Sequence, residues 1–261
     1  MLRREESGWA PYRSTDPNAS LGLLHGAGNE LVATNFGYVG VGVHFASDGT
    51  PVQFTATTVD SRAAWMTSDG QAWVAGRKDG NWPATMLHWN GTRSSSTSIS
   101  GDPGFAMFAT SPLDVWAAGT DGNVFRFDDT RWNDVSYQAE YAMVPAGFWR
   151  DAGGAIHLAG SNAHHPFARW NGVSWDATDA PAPVKYASSL WPAGDDDFWL
   201  IGEVSQGPQQ WRVYHVHGGH IEDAPMPDIY RWSGRVFGVG SDAWLYGGPG
   251  GLTFHRTFKT Q

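Results

Sequence analysis

DVWAAG at residues 114–119 decides the fold, because it is one of six variations on a single design. The others are ELVAT (30–34), QAWVAG (71–76), AIHLAG (155–160), DFWLIG (197–202) and DAWLYG (242–247). Each is a short run of apolar, aromatic or β-branched residues ending in a small one, which is the chemistry of a brief strand. Their last residues are Thr34, Gly76, Gly119, Gly160, Gly202 and Gly247, at intervals of 42, 43, 41, 42 and 45. A fixed period of that size marks a repeat architecture.

The surroundings of each signature also repeat. A small, apolar stretch precedes it, as in AAWMTS (63–68), FAMFATS (105–111) and SSLWPAG (188–194). A turn rich in Asp follows, with Asp69, Asp114, Asp196, Asp197 and Asp242. A third segment comes after a variable loop: TMLHWNG (85–91), NVFRFDD (123–129), PFARWNG (166–172) and RVYHVHGG (212–219). Asn-Gly at 90–91 and 171–172 predicts type I′ hairpin turns, with positive φ at both residues. A fourth segment follows, as in TRWNDVSY (130–137) and GVSWDATD (172–179). Four antiparallel strands per unit and six units predict an all-β chain: one six-bladed β-propeller domain spanning residues 1–261. The sixth unit stops after GLTFHRTF (251–258), whereas ESGWAPYRST (6–15) resembles GVSWDATDA (172–180), with Trp9 in the place of Trp175. The N-terminal strand is therefore expected to close the last blade, which would leave no open sheet edge.

The stretch DVWAAGTDGNVFRFDDTRW (114–132) resembles the Asp-Val-Trp-Ala-x-Gly repeats of bacterial Trp-rich β-propellers, of kelch or Asp-box-like style. A fainter similarity, in the run GxDGxxxxFxxxxW, is to propeller lectins. The first unit departs from the pattern, with Leu31 at the Trp position. The resemblance implies a propeller. Such propellers act as lectins, as peptide-binding platforms and, less often, as enzymes, so the fold leaves the function open.

Composition narrows the function. With 41% hydrophobic and 16% charged residues, 33 Gly and 15 Trp, the chain has the makeup of a folded protein with many short strands. A net charge of −9 argues against nucleic acid and against an anionic membrane surface as partners. No apolar run approaches the roughly 20 residues of a spanning helix. The opening MLRREES has no apolar stretch behind it, so no signal peptide is expected: cytoplasmic as given, or secreted if a signal was trimmed. Cysteine is absent, which removes disulfides and thiolate chemistry.

Two aligned series of side chains recur. Trp73, Trp116, Trp199 and Trp244 share a place on the second strand, with His157 and Leu31 in the other units; aromatics there are expected to fill the space between blades. Leu24, Trp65, Phe108, Trp149, Trp191 and Phe237 align on the innermost strands. His44, His88, Arg126, Arg169, His215 and His255 share a place on the third strand, where a hydrogen bond or cation–π contact to an adjacent aromatic is expected. His215, His217 and His220 have zinc-like spacing but no evident carboxylate support, so no metal and no cofactor are expected. Asp195, Asp196 and Asp197 read as a solvated turn.

No catalytic motif is present. The loops between second and third strands differ most between units: RKDGNWPAT (77–85), SNAHHP (161–166) and EVSQGPQQ (203–210). A repeating scaffold with differing loops predicts an asymmetric binding surface. Its candidate residues are Trp82, Arg62, His164, His165, Tyr186, Arg231 and Trp232, suited to a glycan or peptide ligand. A scaffold for a protein partner is an alternative. A hydrolase or lyase at the central channel, with His25 and Arg150 pointing into it, is another.

Overall fold

A computed structural model describes residues 2–5, 8–11, 21–27, 30–35, 41–45, 51–55, 59–78, 81–101, 106–137, 143–161, 165–179, 181, 184–204, 211–225, 235–239, 242–247 and 252–257. These residues are almost entirely β-strand. The first sheet comprises Leu21–Ala27, Glu30–Asn35, Val41–Phe45 and Pro51–Thr55. The second comprises Val59–Met66, Ala72–Lys78, Asn81–Trp89 and Ser94–Ile99. The third comprises Ala106–Ser111, Asp114–Ala118, Val124–Phe127 and Trp132–Asp134. The fourth comprises Val144–Arg150, Ile156–Ser161, Phe167–Trp170 and Trp175–Ala177. The fifth comprises Val184–Gly194, Asp197–Val204, Trp211–His217 and His220–Pro225. In each, the strands lie side by side in chain order. The sixth sheet has three strands among the described residues: Arg235–Val239, Asp242–Gly247 and Leu252–Thr257.

The chain divides into two compact units. One holds Met1–Gly104, Ala109–Val115 and Phe127–Trp132; the other holds Phe105–Phe108, Trp116–Arg126 and Asn133–Gln261. In the first unit, Val32, Met66, Ala72, Val74, Leu87 and Trp89 form one buried cluster. In the second, Trp149, Ala159, Phe167, Leu190, Phe198, Leu200, Tyr214 and Val216 belong to a larger one. Two of the second-strand tryptophans, Trp73 and Trp116, lie between sheets, as their repetition predicts. Trp73 meets Trp132 edge-on at 5.5 Å, and Trp116 meets Trp170 at 5.6 Å and Trp175 at 5.7 Å. Edge-to-face packing of this kind adds about 0.5–1.5 kcal/mol per pair to the burial itself.

Four sequence expectations change. The strand expected to close the last blade, Gly8–Pro11, instead pairs antiparallel with Leu2–Glu5 as a separate hairpin. Neighbouring segments can pair at little cost in loop closure. The loop expected over 77–85 is mostly ladder, since Ala72–Lys78 and Asn81–Trp89 leave only Asp79 and Gly80 between them. Asp-Gly is a favoured two-residue hairpin connection. The type I′ reading of Asn-Gly also fails: Gly91 (φ 91°) and Gly172 (φ 101°) are left-handed, but Asn90 and Asn171 are not. Each Asn precedes its turn, and its Oδ1 accepts the N–H groups two and three residues on. Lastly, Val32 rather than Leu31 stands opposite His44, as Trp73 stands opposite His88, and His25 rather than Leu24 stands opposite Val32. A slip of one residue moves a side chain to the other face of a strand, and here it buries Val32 completely.

Candidate functional site

The third-strand series resolves into a structural device. In the second sheet, His88 lies flat on Trp73, with ring centroids 4.0 Å apart and planes 4° apart. Its Nε2 donates to Gln71 Oε1 at 2.7 Å, and Gln71 Nε2 donates to Asp69 at 2.9 Å. Thr67 Oγ1 donates to the other oxygen of Asp69 at 2.6 Å. Burial pulls the Asp69 carboxyl upward, but the hydrogen bonds from Thr67 and Gln71 outweigh it and hold the group below its ordinary value. Burial lowers the pKa of His88, opposed by the charge on Asp69.

The fifth sheet repeats the stack with the same dimensions: His215 on Trp199 at 4.0 Å and 4°. Here the acid is in direct contact, with Asp197 Oδ1 2.8 Å from His215 Nε2. The fourth sheet gathers the same groups around Asp151, which meets His157 Nε2 at 3.0 Å and Arg169 Nε at 3.4 Å and accepts the N–H of Ala155 at 2.8 Å. Burial pulls the Asp151 carboxyl upward, and these hydrogen bonds bring it below its ordinary value. In the third sheet, the Arg126 guanidinium sits 5.0 Å above Trp116. In the second, fourth and fifth sheets an aromatic or imidazole on the second strand, a cation or imidazole on the third and an acid near the turn thus bind two strands together. The side chain of His255 lies outside the described residues.

Of the predicted ligand residues, three have side chains among the described residues. His164, Arg231 and Trp232 lie outside them. Trp82 is in the strand Asn81–Trp89, but its side chain also lies outside them. Arg62 is half-buried in Val59–Met66, and His165 is exposed just before Phe167–Trp170. Tyr186 is half-buried in Val184–Gly194, opposite Glu203, with Lys185 Nζ 4.7 Å from the centre of its ring.

The two residues assigned to a central catalytic site are otherwise engaged. His25 is buried, and its Nδ1 accepts the Met66 N–H at 2.9 Å, so its proton sits on Nε2. Burial pushes its pKa down to about 3. An imidazole held neutral across the physiological range is a poor proton shuttle. Arg150 forks Asp195 through Nε at 2.6 Å and Nη2 at 2.8 Å.

The sequence reading held two histidines of one group but not its carboxylate. His215, His217 and Glu222 bring one ligand atom each to within 4.8 Å of one another and could hold a metal ion. The carboxylate was not evident because Glu222 lies across a hairpin, and only the ladder places it opposite His215.

No family model matches the chain, and no curated protein sequence does. Solved structures do match. Virginiamycin B lyase from Staphylococcus aureus is 12% identical and superposes with a TM-score of 0.65 over 94% of this chain and 87% of that one. YCF48 bound to D1 peptide is 15% identical, with a TM-score of 0.55 over 92% and 78%. The Cps50 (Swd1) β-propeller domain of Myceliophteria thermophila is 11% identical, with a TM-score of 0.58 over 97% and 88%. At such identities the likeness carries the fold and nothing further: the antiparallel sheets belong to a β-propeller.

Proposed function

We propose that the chain is one six-bladed propeller domain that binds a peptide segment of a protein partner without catalysing a reaction. The observation that carries this reading is the pair Lys185 and Tyr186. A half-buried ring with an ammonium over its face stands where Val184–Gly194 enters the fifth sheet. Antiparallel order puts that point at the same end of the sheet as Val204 and Trp211, which bound one of the connections that vary in sequence. A ring with an apolar body and polar rim, beside a cation, suits a peptide carrying an acidic group. The likeness to YCF48 bound to D1 peptide supports a peptide over a glycan. His165 exposes an imidazole at the corresponding end of the fourth sheet. Trp82, Arg62, His164, Arg231 and Trp232 extend the surface on sequence grounds.

Panning a random-peptide library against the chain, with a glycan array run alongside, tests the reading. The expected result is an acidic peptide family whose binding weakens at least about tenfold in Tyr186→Ala, the loss of roughly 1.4 kcal/mol or more that a hot-spot aromatic gives. Peptide binding that is indifferent to Tyr186→Ala and Trp82→Ala would remove the surface, and a glycan hit alone would replace the ligand class. A second reading, a propeller enzyme, draws on the likeness to virginiamycin B lyase. Turnover of virginiamycin B or of another lactone would establish it.

A further inference from the structure

The hairpin at the opposite end of the fifth sheet carries a feature that the repeat does not need. Residues 215 and 217 are two apart on a strand, so both imidazoles face the same side. Across the ladder His215 stands opposite Glu222, and His217 opposite His220. Directly opposed residues share a face, so two strands bring three imidazoles and a carboxylate together. The turn between them is Gly218 (φ 52°) and Gly219 (φ 78°), a two-residue connection in which both positions are left-handed. It is shorter and tighter than the Asn-capped turns of the second and fourth sheets, and it fixes the register that aligns these side chains.

We propose that His215, His217 and Glu222 form a binding site for a divalent first-row metal ion of zinc's class. Their ligand atoms lie within 4.8 Å of one another, and His217 Nε2 is already 3.7 Å from Glu222 Oε1. Tetrahedral zinc with arms of about 2.0–2.2 Å needs neighbouring donors about 3.4 Å apart. Small rotations of two half-buried side chains supply the difference. The third ligand is fixed in advance: His215 is buried and stacked on Trp199. A metal-bound imidazole characteristically gives its other nitrogen to a carboxylate; Asp197 Oδ1 stands 2.8 Å from His215 Nε2, which leaves Nδ1 as the nitrogen that would ligate. Glu222 and Asp197 together offset the charge of a divalent ion. Two nitrogens and one oxygen suit zinc, cobalt, nickel or copper, and not calcium, which takes six to eight oxygens. His220 is exposed one rung further on, so the fourth position opens toward the hairpin tip.

The test uses the full, untagged chain stripped with a chelator. Zinc is titrated against a chromophoric competitor, and cobalt is followed by its visible absorption. One zinc per chain and a tetrahedral cobalt spectrum are expected. His217→Ala and Glu222→Gln should each weaken binding at least about tenfold, the scale on which even outer partners of a metal act. Their unfolding midpoints in metal-free buffer should match the parent, which separates lost ligation from lost fold. No saturable zinc binding by the parent, or undiminished binding by both variants, overturns the site. Peptide binding by Tyr186 is not involved, so either result leaves the proposed function to its own experiment.

Discussion

The second and fifth sheets carry the same stack, imidazole on indole at 4.0 Å and 4°, yet their surroundings diverge. In the second sheet, His88 reaches Asp69 through Gln71, and the residue opposite it on the fourth strand is Ser95. In the fifth, His215 touches Asp197 directly, the residue opposite is Glu222, and a further imidazole follows at 217. The shared part joins strand two to strand three in both sheets. The differing part adds nothing to that joint. In a repeat protein, what is common to the copies reads as scaffold, and chemistry is to be sought where one copy departs from the others.

The largest effect should fall on the shared part. Trp73 and Trp199 are buried, and replacing either with Ala should cost about 3–5 kcal/mol in lost burial and cavity formation. Denaturant unfolding of both variants checks this. Similar losses in the two sheets support one common device. A loss confined to one sheet would mean that the matching geometry conceals different roles.

That device was legible in the sequence because a period of about 42 residues aligns equivalent side chains without any structure. The aligned His and Arg positions were read there as hydrogen-bond or cation–π partners of an adjacent aromatic: Arg126 takes that place over Trp116, whereas His88 and His215 stack on theirs. Register was harder. The first unit reads one residue out of step, with Leu31 and Leu24 taken for Val32 and His25, because its strand lacks the bulky Trp that anchors the others. The metal cluster was half visible: His215 and His217 share a strand and announce themselves by spacing. Glu222 belongs to the next strand, and its nearness depends on a turn length that spacing alone does not set. The proposed ligand surface was least legible: Arg62, Trp82 and Tyr186, expected in loops, lie on strands.

The corrected register gives the next test. On the rung where the second and fifth sheets place Trp65 and Trp191 on the first strand, the first sheet places His25. An imidazole there is neutral, its pKa lowered from 6.5 to about 3 by burial. Above pH 6.5 the folded and unfolded chains both carry it uncharged, and stability does not depend on it. Between pH 6.5 and 3 the unfolded chain binds a proton that the folded chain refuses, so stability falls as pH drops, by about 1.4 kcal/mol per pH unit from this group. His25→Gln keeps an acceptor for the Met66 N–H and removes the titration. Its urea midpoint should decline less steeply from pH 6.5 to 4.5 than that of the parent. Equal slopes would show that His25 is not the group that refuses the proton.

The smallest effect separates two acids within one turn of the fifth sheet. Asp197 partners a buried imidazole, whereas Asp195 meets Arg150 with both side chains partly in water. The fork from Arg150 is bidentate, which favours it among surface pairs, but solvent screening limits exposed ion pairs to about 0–1 kcal/mol. The backbone also holds this junction without it, since the Asp196 N–H donates to Arg150 O at 2.9 Å. Asp195→Ala should therefore cost under about 1 kcal/mol, and added salt should shrink the difference. Asp197→Ala removes a hydrogen-bond partner of a buried group, so it should cost more and respond less to salt, because that contact lies away from solvent. Paired unfolding curves in low and high salt decide the matter. If the two variants lose the same stability with the same salt dependence, the division of this turn into a surface contact and a structural one is wrong.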